Sequence, residues 1–146
     1  MHLKKSFEVD RARDDVVEIL CREESLLALF PNGESEALES SAERITTRTH
    51  YRVLGRDGVA TFHFDFLMDG NIRFEKVCDG RMWSALKGEV DIEERGAGSR
   101  ITLSLDGRTK PLIPEFSIKA PMEEQLAEML QAMRERLLSE ARETGN

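Results

Sequence analysis

Apolar and polar positions alternate from the start of the chain. Leu3, Phe7 and Val9 fall between His2, Lys4, Ser6 and Glu8, the two-residue period of a half-buried strand. Asp10 follows as a candidate helix cap, because a carboxylate accepts from free backbone N–H groups. Val16, Val17, Ile19 and Leu20 then supply one apolar helical face. A second short helix is predicted over Glu24 to Phe30, stopped by Pro31-Asn32-Gly33, where proline and glycine cannot continue it. From Glu34 to about Asp106 the pattern is strand and turn. Gly55-Arg56-Asp57-Gly58, Asp69-Gly70-Asn71, Asp79-Gly80-Arg81 and Arg95-Gly96-Ala97-Gly98 punctuate runs of alternating polarity, as hairpin connectors do. This spacing predicts a six-strand antiparallel meander and not βαβ units. Finally, Met122, Leu126, Met129, Leu130, Met133 and Leu137 recur at three- and four-residue steps. They form one stripe on a helix of about five or six turns, with Pro121 suited to its first turn. No repeat or linker divides the chain, so one domain is expected over residues 1–146, with 143–146 a frayed tail.

Register arithmetic assigns the faces of the strands. If Leu54 meets Val59, then Tyr51 faces Phe62, Thr49 faces Phe64 and Thr47 faces Phe66, while His50 meets His63 and Arg48 meets Asp65 on the other side. A three-residue loop over Asp69 to Asn71 aligns Phe66 with Phe74 and Phe64 with Lys76. Across the last turn, Ile92 meets Ile101, Val90 meets Leu103 and Glu93 meets Arg100. One face of the sheet is then apolar and the other charged, and the last helix carries the only stripe large enough to cover the apolar face.

Composition narrows the function classes. The chain has 146 residues, of which 40% are hydrophobic and 34% charged, so a globular core is expected and wholesale disorder is not. No apolar run reaches the roughly 18 residues of a membrane span, and Met1 to Lys5 has no apolar run behind it to make a secretory signal. Cys21 and Cys78, without CxxC spacing, read as free thiols in a reducing cytoplasm. A net charge of −7 disfavours nucleic acid. That charge is unevenly spread. Six glutamates between Glu23 and Glu43 precede Arg44, Arg48, Arg52 and Arg56, a four-residue repeat that reads as a solvated ladder neutralised by the adjoining strand.

Aromatic residues are only 6% of the chain, yet most lie between Tyr51 and Trp83. Thr47, Thr49, Tyr51, Lys76 and Ser84 share their predicted face, and buried polar groups need partners. Tyr51 and Lys76 have the chemistry to hold a carboxylate or phenolate. His50 and His63 invite a zinc reading, but they fall on the outer face without a third ligand, so no metal or cofactor is expected. No inward histidine is available as a general base, and Cys78 reads as a small inward hydrophobe.

The order β-α-α, six strands and a long amphipathic helix resembles the START/Bet v 1-like (SRPBCC, polyketide cyclase and lipid-transport) superfamily over the whole chain. Leu29-Phe30-Pro31, the Gly98 to Leu105 segment and Lys119-Ala120-Pro121 resemble its aromatic-proline step, its penultimate strand and its entry into the last helix. The resemblance implies an α+β helix-grip fold, with a seven-stranded antiparallel sheet wrapped around the C-terminal helix. It also implies a cavity for a hydrophobic or amphipathic small molecule, lined by Phe62, Phe64, Phe66, Phe74, Leu86, Leu103, Met122, Met129 and Met133. A cyclase or dehydratase on the same cavity, and a protein-interaction module using the charged outer face, are the alternatives it leaves open.

Overall fold

The computed structural model describes residues 1–53, 56–78 and 82–144. Strand β1 (His2–Val9) leads into helices α1 (Arg13–Leu20) and α2 (Glu23–Leu27). Strands β2 (Glu34–Ser40), β3 (Arg44–Val53), β4 (Arg56–Phe66), β5 (Ile72–Lys76), β6 (Trp83–Arg95) and β7 (Gly98–Thr109) follow. A 3-10 turn (Glu115–Ser117) and helix α3 (Lys119–Thr144) complete the order. The strands form one antiparallel sheet in the order β1-β7-β6-β5-β4-β3-β2, which is the expected helix-grip arrangement. The turns assigned to residues 54–55 and 79–81, including Leu54, lie outside the described residues, as does the end of the tail at 145–146.

Two registers differ from expectation. Tyr51 pairs with Gly58, and the β3–β4 ladder runs on to Val53 and Arg56, through part of the stretch that the sequence assigns to a turn. Thr49 therefore faces Ala60 and Thr47 faces Phe62. Phe66 pairs with Ile72, because the connection spans five residues, closed by Leu67 N–H to Asn71 and Gly70 N–H to Leu67. Phe64 thus meets Phe74, and Phe62 meets Lys76. Both displacements are even, so every side chain keeps its expected face although its partner changes. The β6–β7 register matches: Ile92 meets Ile101 and Val90 meets Leu103. Asp10 does not cap α1. Ala12 holds that position without a side-chain bond, and Asp14 and Asp15 in the first turn supply the favourable charge instead.

The core lies between the inner face of the sheet and the helices. Val16, Ile19 and Leu20 of α1, Leu26 of α2, and Leu126, Met129, Met133 and Leu137 of α3 are buried against Ile45, Phe64, Ile72, Phe74, Val90, Ile101 and Leu103. Arg13 fixes α1 to the sheet by donating to the carbonyls of Ile92 (2.8 Å) and Asp69. Arg136 ties α3 to α2 through Ser25 Oγ (3.2 Å) and Glu24 (3.1 Å).

Candidate functional site

The interior of the grip is mostly aromatic. Phe30 stacks on Phe62 with centroids 5.3 Å apart and planes 23° apart. Phe62 also meets Phe64 at 6.2 Å and Phe74 at 6.3 Å, and Phe64 meets Phe74 at 5.8 Å. This cluster occupies the middle of the sheet, whereas α3 makes its closest backbone approaches at β1 and α1. The space between α3 and β4 to β5 is therefore filled by side chains, while α2 approaches β3 from its own end of the sheet.

The residues named for a cavity wall differ in burial. Phe62, Phe64, Phe74, Leu86, Leu103, Met129 and Met133 are buried, and Phe66 and Met122 pack half-buried against them. No open cavity lies behind Phe64 and Lys76 among the described residues. A void of about 10 Å³ remains between Leu20, Leu29, Phe64, Val90 and Met133, roughly the space of one water molecule in an apolar, and therefore dry, setting. The phenylalanine rings and flexible methionines close over one another.

The polar candidates separate into three groups. Thr47 and Thr49 are buried on the inner wall. Thr49 Oγ1 shares a 2.7 Å hydrogen bond with Ser35 Oγ, whereas Thr47 Oγ1 has no partner among the described residues. Lys76 is half-buried at the end of β5. Tyr51 and Ser84 do not reach the interior. Tyr51 is 38% exposed at the far end of β3, with its ring over Gly58. Ser84 is exposed and donates to the Arg108 carbonyl (3.0 Å). A bulge between Trp83 and Ala85 shifts the alternation there, so Trp83 and Leu86 both turn inward and Ser84 turns out. Trp83 is a buried residue that strand alternation alone does not locate. Its neighbour Gly107, whose missing side chain makes room for the indole, is the sequence signal that marks it.

Tyr51 borders a different feature, an open cleft of about 650 Å³ where β2 starts short of the β3–β4 hairpin. Pro31, Asn32, Gly33 and Glu34 form one wall, and His50, Arg52, Asp57 and Val59 the other. Asn32 Nδ2 anchors the first wall to Glu128 of α3 at 3.1 Å. Gly33 presses onto the Thr49 methyl and the His50 carbonyl, so close that a Cβ there would sit 2.8 Å from one and 2.9 Å from the other. The cleft is thus one side chain away from the Ser35–Thr49 pair.

The outer face carries the charge. Arg44 grips Asp65 through two hydrogen bonds (2.6 and 3.2 Å), and that carboxylate raises the arginine's pKa further. Arg48 pairs with Glu36, Arg52 with Asp57, and Arg100 with Glu8. The preceding glutamate-rich strand therefore neutralises Arg48, while β4 serves Arg44 and Arg52; the Arg56 side chain lies outside the described residues. His50 and His63 are not opposite one another. His63 Nδ1 bonds Thr46 Oγ1 at 2.7 Å, and His50 faces Val59. Among the described residues, no three histidine, cysteine or carboxylate groups converge to hold a metal ion, and no helix is long and apolar enough to cross a membrane.

Cys78, half-buried, directs its thiol to the Lys76 carbonyl at 3.6 Å. Burial pushes the Cys21 thiol from 9.0 up to about 11. Its folded pKa lies above its unfolded one, so the protonated thiol favours the folded state below about pH 9, and this contribution is lost as pH rises towards 11. Chemical denaturation across that range should show an alkaline decline that Cys21→Ala reduces; an unchanged decline would assign it elsewhere.

Solved structures share this architecture. The protein TTHA0849 from Thermus thermophilus superposes with a TM-score of 0.80 at 17% identity, over 97% of this chain and 99% of that one. The Zhui aromatase/cyclase of Streptomyces sp. R1128 gives 0.79 at 20% identity, covering 97% and 94%. A START superfamily protein from Mycobacterium smegmatis gives 0.74 at 16%, covering 94% and 97%. No protein-family model and no curated protein matches the sequence. The chain has the START/Bet v 1-like helix-grip fold.

Proposed function

We propose that the protein binds a hydrophobic or amphipathic small molecule, of lipid, polyketide or quinone type, between the sheet and α3. The observation that carries this reading is what fills the grip. Between α3 and the middle strands lie phenylalanine rings and the thioethers of Met129 and Met133, with α3's closest backbone approaches elsewhere. Rotamer changes of Phe30, Met129 and Met133 open that space without breaking a strand or helix, and apolar walls supply affinity by desolvation. Phe62, Phe64, Phe66, Phe74, Leu86, Leu103 and Met122 complete the wall, and Thr49 and Lys76 border it. The neighbours that carry this fold include an aromatase/cyclase and a START protein, which agrees with an interior site.

Binding without transformation fits the interior better than catalysis does. Acid–base chemistry needs a titratable group beside the ligand, and the two candidates are poorly placed. Tyr51 stands exposed at the strand end and Lys76 is half-buried at the end of β5.

The test is titration with the neutral fluorophore N-phenyl-1-naphthylamine. Wild-type protein should give saturable 1:1 binding, and Met129→Trp, which fills the space above the sheet, should weaken it at least about tenfold while circular dichroism stays native. A non-saturating signal, or equal binding by a folded Met129→Trp, overturns the reading. Native mass spectrometry of the freshly purified protein would then report the class of any retained ligand.

A further inference from the structure

The inner wall has one hydroxyl without a partner, and its surroundings restrict what can satisfy it. Thr47 is 1% exposed, and its Oγ1 makes no hydrogen bond among the described residues. Its neighbour Thr49 is satisfied by Ser35, so two of the three hydroxyls on this part of the wall are already paired. Across the strand Thr47 meets Phe62, whose ring stacks on Phe30. The group therefore sits beside the aromatic pair of Phe30 and Phe62.

The charge of the interior is equally restrictive. Every buried polar residue among those described (Ser25, Thr46, Thr47, Thr49, Ser99 and Thr102) carries a neutral hydroxyl. An ionised group brought to Thr47 would lie in an apolar setting without a counter-charge, at a cost far above what one hydroxyl returns. The nearest inward cation on this row, Lys76, stands on the other side of Phe62, two strands from Thr47 and roughly 10 Å away at the usual strand spacing.

We infer that Thr47 is a specificity-determining residue that selects ligands with a neutral oxygen, a hydroxyl or ketone, on an apolar ring system, and that ligands with a carboxylate at that position are rejected. The inference rests on the interior-binding reading above. A threonine hydroxyl both donates and accepts, so it serves either oxygen. It remains unpaired in the closed protein because the ligand is its intended partner, a cost accepted for selectivity.

Three bicyclic probes separate the possibilities: naphthalene, 1-naphthol and 1-naphthoate, titrated calorimetrically against wild type and Thr47→Val, a substitution of nearly unchanged shape. Wild type should bind 1-naphthol about two- to tenfold more tightly than naphthalene, the range of one neutral hydrogen bond, and 1-naphthoate least. Thr47→Val should abolish the preference for naphthol while leaving naphthalene affinity unchanged. It should also raise Tm by about 2 °C or more, because an unpaired buried hydroxyl has been removed. A Tm that falls shows that Oγ1 has a partner within the protein and overturns the inference. So does a naphthol preference that survives in the variant, or naphthoate binding as tightly as naphthol. If none of the three probes, nor N-phenyl-1-naphthylamine, binds the wild type, the interior-binding reading itself fails.

Discussion

Phe64→Ala should lower the unfolding free energy by about 3–5 kcal/mol, the range for truncating a buried phenylalanine. For a chain of this length that corresponds to a fall in Tm of roughly 10 °C, readable by calorimetry. Phe64 is 1% exposed and lies between Phe62 and Phe74, with Ile45 opposite it on β3. It also borders the void of about 10 Å³, so the space it vacates joins one already present. The enlarged cavity would be lined by Leu20, Leu26, Leu29, Ile72, Val90 and Met133, and by Ser25, whose hydroxyl already donates to the Ile19 carbonyl. Such a cavity stays dry and takes up small aromatic molecules. Benzene should therefore raise the Tm of the variant and leave the wild type unchanged. If the loss is below about 1.5 kcal/mol and benzene has no effect, Met133 and its neighbours have collapsed into the gap. The interior would then be far more adaptable than its closed packing indicates, and the apolar end would join the ligand-receiving part of the grip.

The contrast between Phe64 and Thr47 also shows which parts of the site are legible in the sequence. Face assignments come from parity, and parity withstands even errors. The expected pairing of Tyr51 lies four residues from its true partner and that of Phe66 two residues away, yet Thr47, Thr49 and the phenylalanines still share the inner wall. An odd change does reverse a face. The bulge after Trp83 sends Ser84 to solvent and brings the only tryptophan inside, and no hydropathy pattern marks where a strand gains one residue. Tyr51 departs for another reason. Its expected face is right, but β2 starts at Glu34, so no strand covers the last residues of β3 and the ring lies beside an open cleft. The length of a neighbouring strand governs exposure at a strand end, and local alternation does not encode it. Closure of the cavity is also out of reach, because identical Phe and Met patterns line filled and open interiors alike.

Gly88→Val should cost at least about 2–3 kcal/mol, against the direction that strand propensity alone would give. A glycine inside a strand is ordinarily a weak point, and a β-branched residue is the favoured replacement. At Gly88 the sign reverses. The residue lies directly opposite Phe74, and an added Cβ would strike that ring and come within 2.5 Å of the Ser104 carbonyl on β7. The ring is held on its other sides by Phe62 and Phe64, and the carbonyl belongs to the sheet, so neither moves cheaply. A double-mutant cycle with Phe74→Ala apportions the cost. Removing the ring relieves one of the two collisions, so the losses from Gly88→Val and Phe74→Ala should combine to less than their sum by more than about 0.5 kcal/mol. Strict additivity would show that the Ser104 carbonyl sets the whole penalty and that Phe74 does not need the glycine. Coupling of the expected sign has a consequence for the site, because a ring laid flat over a cross-strand glycine occupies little of the height between sheet and helix. Trp83 over Gly107 repeats the device within the grip. Two aromatic side chains of the interior therefore depend on a glycine of a neighbouring strand for their place.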